Sequence, residues 1–183
     1  MPAPLLSRAV DHVLQIMALT PDRPFFQREL ERLTGEPYNG VVQALDRLVR
    51  EDVARTVEVG GKRGFVINRQ NPYFEEFQRI ALKSLGIPEA LDAAGVVVLK
   101  VALFGSFARG QAGPGSDLDL LVVGAESQPG AASAALSPLS ARIGHPINVQ
   151  VYDHATYLAE RELSTTFITA LINGPLINLR GEL

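Results

Sequence analysis

Cysteine and tryptophan are absent from the 183-residue chain, and methionine occurs only twice. Without cysteine the chain has no disulfides, no thiolate metal sites and no thiol nucleophiles. No run of about 18 apolar residues is available to cross a bilayer. The first residues also lack the basic region and apolar core of a signal peptide. We therefore expect a cytoplasmic protein with no membrane partner.

An excess of positive charge is missing too, because 17 basic residues stand against 20 acidic ones and the net charge is −3. The charge is unevenly distributed along the chain. Residues 1–87 hold 12 basic and 11 acidic residues, whereas residues 88–183 hold 5 and 9. An acidic half beside a nearly neutral, arginine-bearing half indicates two regions with different tasks.

The most informative stretch begins at Phe104 and reads FGSFARGQAGPGSDLDL. An apolar strand is predicted to end at Gly105-Ser106, and a second strand, after a glycine-rich connection, carries Asp117 and Asp119. Side chains two residues apart on a strand share a face, so we expect the two carboxylates about 7 Å apart. Paired carboxylates suit Mg²⁺, and glycine lets a phosphate approach the backbone.

This stretch resembles the signature of the nucleotidyltransferase superfamily that includes polymerase-beta-like enzymes. Gly105-Ser106, a ten-residue spacer and the paired acids Asp117 and Asp119 carry the resemblance, and the fuller GSFARG and SDLDL segments are similar to the minimal nucleotidyltransferase branch. The resemblance implies catalytic acids that hold Mg²⁺ or Mn²⁺. It further implies that the Gly105-Ser106 turn binds the phosphates of ATP or another nucleoside triphosphate.

Two further residues of the motif, Arg109 and Ser116, are candidates for nucleotide contacts. Arg109 either clamps a triphosphate or caps its helix. Ser116 either touches a phosphate or stabilises the turn before Asp117. The histidines lack metal-ligand spacing, which predicts surface or packing roles for all three: His12, His145 and His154.

The predicted third strand, residues 147–152, departs from the pattern of active relatives. The resemblance implies a third carboxylate there, which helps to hold metal and acts as the base, but the polar face of this strand carries Asn148 and Gln150. An amide coordinates metal weakly and cannot accept a proton at neutral pH. Asp153 is the nearest acid, several residues away from the expected position. The sequence therefore agrees with binding of phosphate and metal, and it leaves open whether the protein catalyses nucleotidyl transfer.

The first 70 residues predict three helices and a two-stranded ribbon from apolar spacing and turn residues. The helices are expected at residues 4–19, 27–33 and 39–51, and the strands at 53–59 and 64–68. Gly60, Gly61, Lys62 and Arg63 are expected to form the hairpin turn, with both cations at its tip. This order of elements resembles a winged helix-turn-helix domain.

The winged-helix resemblance implies that the third helix enters the major groove of DNA. Its polar stripe supplies candidate base contacts in Asn39 and Gln43, with Arg47 on guanine or phosphate. The remaining DNA-binding candidates are basic side chains placed to hold the phosphate backbone: Arg28, Arg50, Lys62 and Arg63. The alternative is an ordinary solvated helix face, or a protein-docking module.

We expect an α/β (α+β) chain with three parts. Residues 1–70 form the winged helix-turn-helix domain, residues 71–94 form linking helices, and residues 95–183 form a nucleotidyltransferase-like domain with a mixed sheet and flanking helices. In the last part, Pro138 is expected to kink or split an alanine-rich helix at residues 131–143.

Three functions remain open at this point. The first is an enzyme that transfers a nucleotidyl group to a hydroxyl, and members of the resembled branch are often paired with toxins, which makes a toxin-like protein a candidate partner. The second is a DNA-binding transcriptional regulator whose transferase-like domain is a sensor or scaffold. The third is an antitoxin-like interaction module. A homodimer would double the DNA contacts of the weakly charged first region.

Overall fold

The structure is a computed structural model that describes residues 7–113, 115–124, 126, 128–163 and 166–183. The chain divides into two compact units, Met1–Leu85 and Gly86–Leu183. The mixture of helices with a mixed sheet confirms the expected α/β class. Along the described residues, each helix is either too short or too polar to cross a membrane.

The first unit opens with the helices α1 (Arg8–Leu19), α2 (Gln27–Thr34) and α3 (Tyr38–Arg50). Their apolar positions recur at helical spacing and are buried, as Leu14, Leu30 and Leu45 illustrate. The predicted start of α1 at residues 4–6 lies outside the described residues. The other helix ends agree with the sequence-based expectation to within a residue or two.

A β-hairpin follows, made of β1 (Ala54–Val59) and β2 (Lys62–Ile67). The predicted four-residue turn is wrong, because Val59 pairs directly with Lys62 and the loop contains two residues only. Both loop residues are glycines with positive φ, the backbone that tight hairpin turns require. Lys62 and Arg63 therefore lie at the start of β2, still exposed, rather than in the turn.

The helices predicted to link the two regions belong to different units. Helix α4 (Phe74–Lys83) packs on α1 in the first unit, where the buried Gln78 side chain donates to the Ala18 carbonyl at 3.0 Å. Helix α5 (Ile87–Ala93) packs in the second unit and buries Ile87 and Leu91. Segment 71–94 thus has no core of its own, since its apolar faces are divided between the units.

The second unit continues through β3 (Val98–Phe104), α6 (Gly105–Ala108), β4 (Leu118–Gly124), α7 (Pro129–Ile143), β5 (Ile147–Asp153), α8 (His154–Glu162), α9 (Phe167–Ile172) and β6 (Ile177–Arg180). In the part of the chain that is described, its sheet has the order β5-β4-β3-β6. β4 runs antiparallel to β3 and parallel to β5, and α7 makes the crossover between β4 and β5. The sheet is therefore mixed, as expected.

Helices on both sides of the sheet bury β4. Leu121 and Val123 point to one face and pack with Tyr157 of α8 and Ile168 of α9. On α7, the predicted split at Pro138 is wrong, because the helix is continuous from Pro129 to Ile143. Proline in a helix interior costs about 3 kcal/mol, and burial of Leu136, Leu139 and Ile143 on the same helix offsets that cost.

An ion pair fixes β6 to α5. Arg180 donates to both carboxylate oxygens of Asp92, at 2.6 and 2.5 Å, and these hydrogen bonds lower the pKa of Asp92. A carboxyl whose folded-state pKa is lowered stabilises the fold at pH values above its ordinary pKa of 3.8. This contribution is lost as the pH falls through the lowered pKa.

We predict that Asp92→Asn lowers the free energy of unfolding at near-neutral pH and that the difference from wild type shrinks as the pH falls below about 4. Urea titrations followed by circular dichroism at a series of pH values measure this difference. Glu162→Gln is the control, because it removes an exposed acidic charge from α8, outside the Asp92–Arg180 pair. A difference that does not depend on pH would contradict the prediction.

Candidate functional site

Two carboxylates and one amide meet where β4 and β5 begin. Asp119 of β4 is the register partner of Asn148 on β5, and Asp117 lies directly before β4. The Asn148 Nδ2 donates to Asp117 Oδ2 at 2.9 Å and lies 3.4 Å from Asp119 Oδ1. The predicted metal-binding acids and the predicted third-acid position are therefore brought together, with the amide bridging the carboxylates.

Gly105 closes the site on the side of β3. Phe104, the residue before Gly105, pairs with Asp119 between β3 and β4. This pairing places the turn after β3 beside the carboxylate. Gly105 has φ +73°, and a Cβ there would overlap the Asp119 carboxylate, with 3.1 Å to Cγ. Only glycine satisfies both conditions without strain. The predicted phosphate-binding turn and the predicted acids are thus in direct contact.

A buried histidine contacts the backbone of the loop that precedes Asp117. His145 is 1% exposed, and its Nδ1 is 2.7 Å from the Ser116 carbonyl oxygen. Its ring also meets Phe107 of α6 edge to face, with centroids 5.3 Å apart. His145 therefore connects the residue before Asp117 to the turn that begins at Gly105.

Sequence reasoning assigned His145 only a surface or packing role. The sequence shows that His145 lies two residues before β5, but its contact with Ser116 depends on the parallel pairing of β4 and β5. At the start of that pairing the Leu118 N–H donates to the Pro146 carbonyl at 2.8 Å. No spacing rule links these residues along the chain.

Two other motif residues use their side chains for hydrogen bonds away from the acids. Ser116 Oγ accepts the Gly113 N–H at 2.9 Å, so the side chain serves the turn. Arg109 is exposed at the end of α6, and its Nε donates to Gln111 Oε1 at 3.1 Å. Ser106 is half-buried beside Gly105. Among the described residues, no hydrogen bond joins Arg109 or Ser116 to the two acids.

Asp153, the nearest further acid, is not part of this site. It ends β5 opposite Gly124, five residues along the strand from Asn148. Its carboxylate caps α8, accepting the Thr156 N–H at 2.8 Å and the Thr156 hydroxyl at 2.7 Å. These hydrogen bonds lower the pKa of Asp153. The side chain is committed to the helix start and leaves Asn148 as the third group.

The donor set fits a hard divalent cation. Asp117 and Asp119 are half-buried carboxylates, and Asn148 presents its amide N–H group to both of them. Mg²⁺ is commonly held by one or two carboxylates together with substrate phosphates. Across the described residues no cluster of three or more acids or histidines exists. Two carboxylates would thus hold one cation, with its remaining positions open to water and phosphate.

Residues 86–165 match the family model described as a nucleotidyltransferase domain. The second unit is therefore similar to a nucleotidyltransferase domain and is called by that name. The matched range supports the expected nucleotidyltransferase-like region and includes the Gly105 turn, both acids and Asn148, whose roles stay predictions. Comparison with curated proteins and with solved structures gave no match. The first unit lies outside the matched range, so its winged-helix character stays a prediction.

In that first unit, the polar stripe of α3 is exposed as a continuous face. Asn39, Gln43, Arg47 and Arg50 are all exposed. Arg50 lies 3.5 Å from Glu51 in an exposed ion pair, whereas Arg47 has no ion-pair partner among the described residues. The stripe thus offers two amides and one uncommitted guanidinium to a partner.

The remaining basic candidates are partly engaged within the unit. Arg28 donates to Glu31 at 2.9 Å and lies over the Tyr38 ring at 4.0 Å, and the Glu31 hydrogen bond raises the pKa of Arg28. Arg63 lies over the Phe65 ring at 5.1 Å. Lys62 is exposed and forms no ion pair with a described residue. These contacts hold the guanidinium groups in place at the surface.

We predict that Gly105→Ala destabilises the nucleotidyltransferase domain more than Gly110→Ala does. Both positions have positive φ, +73° and +67°, so alanine strains the backbone by about 1–2 kcal/mol at each. Only at residue 105 does the new methyl group meet another side chain, which adds a further ~1–3 kcal/mol.

Urea unfolding of the full chain, followed by circular dichroism, measures both effects. Gly110→Ala is the matched control because nothing lies within 4 Å of its new Cβ. Equal destabilisation by the two variants would show that the Gly105–Asp119 contact does not constrain the site.

Proposed function

We propose that the nucleotidyltransferase domain binds a nucleoside triphosphate, such as ATP, together with Mg²⁺ or Mn²⁺, and transfers its nucleotidyl group to an acceptor hydroxyl. The observation that supports this best is the convergence of Asp117, Asp119 and Asn148 beside the Gly105 turn. Asp117 and Asp119 are the proposed metal ligands and catalytic acids. The Gly105-Ser106 backbone is the proposed contact for the phosphates, and Arg109, four residues after Gly105, is the proposed guanidinium contact for the triphosphate.

In the proposed reaction, the acceptor oxygen forms a bond to the α-phosphorus and the bond to pyrophosphate breaks in line with it. A cation on the two carboxylates would neutralise charge on the phosphate oxygens. The proton of the acceptor hydroxyl needs a base, and the Asn148 amide cannot accept it. The proton therefore passes to water in this scheme, and we expect slow transfer.

A binding function without turnover is the second candidate for this domain, and Asn148 favours it. If transfer is absent, the bound nucleotide acts as a signal, and the domain is a sensor or scaffold. The acceptor to test first in the enzyme hypothesis is a toxin-like protein, because the resembled branch is often paired with toxins. An antitoxin-like role would follow from that pairing.

We predict that Asp119→Asn weakens binding of manganese ATP at least about tenfold, because even changes outside the metal's direct ligands cost ~10–100-fold in affinity. Isothermal titration calorimetry of the full chain measures the affinity. Glu162→Gln, an exposed charge change on α8, is the control and should bind like wild type. Unchanged affinity in Asp119→Asn would contradict the proposed site.

The reverse substitution, Asn148→Asp, tests the missing base. A positioned base contributes on the order of 10²–10⁴-fold to a rate, so Asn148→Asp should increase transfer of label from radiolabelled triphosphate by about 100-fold. If wild type and Asn148→Asp both bind nucleotide without transferring it, the sensor function is favoured over the enzyme.

We further propose that the first unit is a winged helix-turn-helix domain that binds DNA and acts as a transcriptional regulator. The exposed stripe of α3 supports this, because Gln43 and Asn39 match adenine edges and Arg47 matches guanine or phosphate. Lys62 and Arg63, beside the hairpin turn, are the proposed phosphate contacts. Phe25 also bridges to Phe65, so the hairpin is fixed to the segment before α2.

Acidic neighbours reduce the positive potential of this surface. Glu58 lies opposite Arg63 in the register of the hairpin. Glu31 forms an ion pair with Arg28, and Glu51 forms one with Arg50. A single domain of this kind is a weak DNA binder by charge alone. A homodimer that presents two α3 helices to two half-sites would supply the missing contacts, and we include it in the proposal.

We predict that Arg47→Ala and Gln43→Ala each weaken binding to DNA from upstream of the protein's own gene, by about 1–3 kcal/mol if the side chains contact bases. Gel-shift titrations at several salt concentrations measure the affinity. Arg79→Ala removes the same charge from the exposed side of α4 and should leave the affinity nearly unchanged. Equal effects of Arg47→Ala and Arg79→Ala would reject α3 as the recognition helix.

A further inference from the structure

An aromatic pair lies at the edge of the candidate site. Phe104 ends β3, Phe167 begins α9, and their rings meet edge to face with centroids 5.8 Å apart. Phe167 is 46% exposed. Among the described residues of the nucleotidyltransferase domain, it is the one aromatic ring with a widely exposed face.

The strand register places this pair on the same face of the sheet as the acids. Asp119 is opposite Phe104 on one side and opposite Asn148 on the other, and residues opposite each other on neighbouring strands share a face. Side chains opposite each other have Cβ atoms roughly 5 Å apart. Phe104 thus lies beside Asp119, and Phe167 is the next ring outward from it.

Hydrogen bonds fix the position of Phe167. Thr166 caps α9 by accepting the Thr169 N–H at 3.3 Å, and its hydroxyl donates to the Glu160 carbonyl of α8 at 2.7 Å. Ile168 and Leu171 on the same helix are buried in the cluster against β4. The exposed ring is therefore held by a capped and packed helix, and its surface is available without rearrangement.

Burial of apolar surface does not explain the position of Phe167, because about half of this residue stays in water. Phe104, which its ring contacts, is partly buried. Base–aromatic stacking uses such a surface, because every nucleobase has a π-face and purines have the larger one. The phosphates of a nucleotide would contact the Gly105 turn and the acids, and the base would extend over the neighbouring aromatic pair.

We propose that Phe167 is the stacking surface for the base of the bound nucleoside triphosphate. This inference rests on the proposed nucleotide function of the domain, and it adds a base-binding subsite formed by Phe104 and Phe167. Arg109 and the acids contact phosphate and metal in that scheme, so recognition of the base falls to the aromatic pair.

The test compares two ligands that differ by the nucleoside. Calorimetry of the full chain with manganese ATP reports phosphate, metal and base contacts, whereas manganese tripolyphosphate lacks the base. Removing a stacking ring costs roughly tenfold in affinity or more. We expect Phe167→Ala and Phe167→Leu to weaken binding of ATP by that factor and to leave binding of tripolyphosphate unchanged.

Two controls separate stacking from packing. Phe167→Leu retains an apolar contact with Phe104 but has no π-face, whereas Phe167→Tyr keeps the face and should bind ATP like wild type. Leu158→Ala removes an apolar side chain of similar exposure, 43%, from α8 and should change neither affinity. Thermal melting of each variant checks that the fold is retained.

The outcomes distinguish this inference from the function on which it rests. The inference is overturned alone if wild type binds tripolyphosphate as tightly as ATP, if Phe167→Leu binds ATP like wild type, or if both ligands weaken together in the Phe167 variants. Failure of wild type to bind either ligand would overturn the proposed nucleotide function and the subsite together.

Discussion

The pairing of β4 with strands on both of its sides is the constraint from which the candidate site follows. β3 delivers the Gly105 turn to one side of Asp119, and β5 delivers Asn148 to the other. Both faces of β4 are buried, with Leu120 and Val122 on one face and Leu121 and Val123 on the other. A shift of one position would exchange these faces and bring Leu120 to the site in place of Asp119. The apolar residues of β4 therefore specify the site as firmly as the polar ones do.

The register between β4 and β5 also determines that Asn148 is the group that faces the two carboxylates. An amide at this position donates to both carboxylates, so two neighbouring negative charges are held together without a third acid. A carboxylate there would repel both until a cation bound. Asn148 is thus a neutral bridge between the carboxylates, which is compatible with ligand binding and unfavourable for proton transfer.

Local patterns predicted most of the fold, and the particular failures have physical causes. Alternation predicted Asp117 and Asp119 on one strand face, and Asn148 contacts both, although Asp117 lies just before β4. Glycine at 105 was predicted to admit a phosphate, and the structure shows the Asp119 carboxylate close to it. Pro138 was predicted to kink or split α7, and the split is wrong because burial along that helix outweighed the local rule. In the hairpin, Gly60-Gly61 sufficed as the loop, so Lys62 began the strand.

The parts of the site that the sequence did not predict depend on contacts between distant segments. His145 reaches Ser116 only because β5 returns parallel to β4, and Phe167 reaches Phe104 only because α9 packs on the sheet. Neither residue belongs to a spacing pattern. For the first unit, the helices and the hairpin were predictable, whereas the recognition of DNA depends on the exposed face of α3, which periodicity indicates but does not assign.

The pairing of β3 with β6 has a consequence for how the protein matures. Val101 and Arg180 are adjacent in the sheet yet almost 80 positions apart along the chain. On the ribosome, β3 emerges long before β6, so its outer edge stays open while the first unit, built largely from local contacts, is able to form. A nascent chain paused before β6 would expose an unpaired edge, which is a template for aggregation and a natural binding point for chaperones.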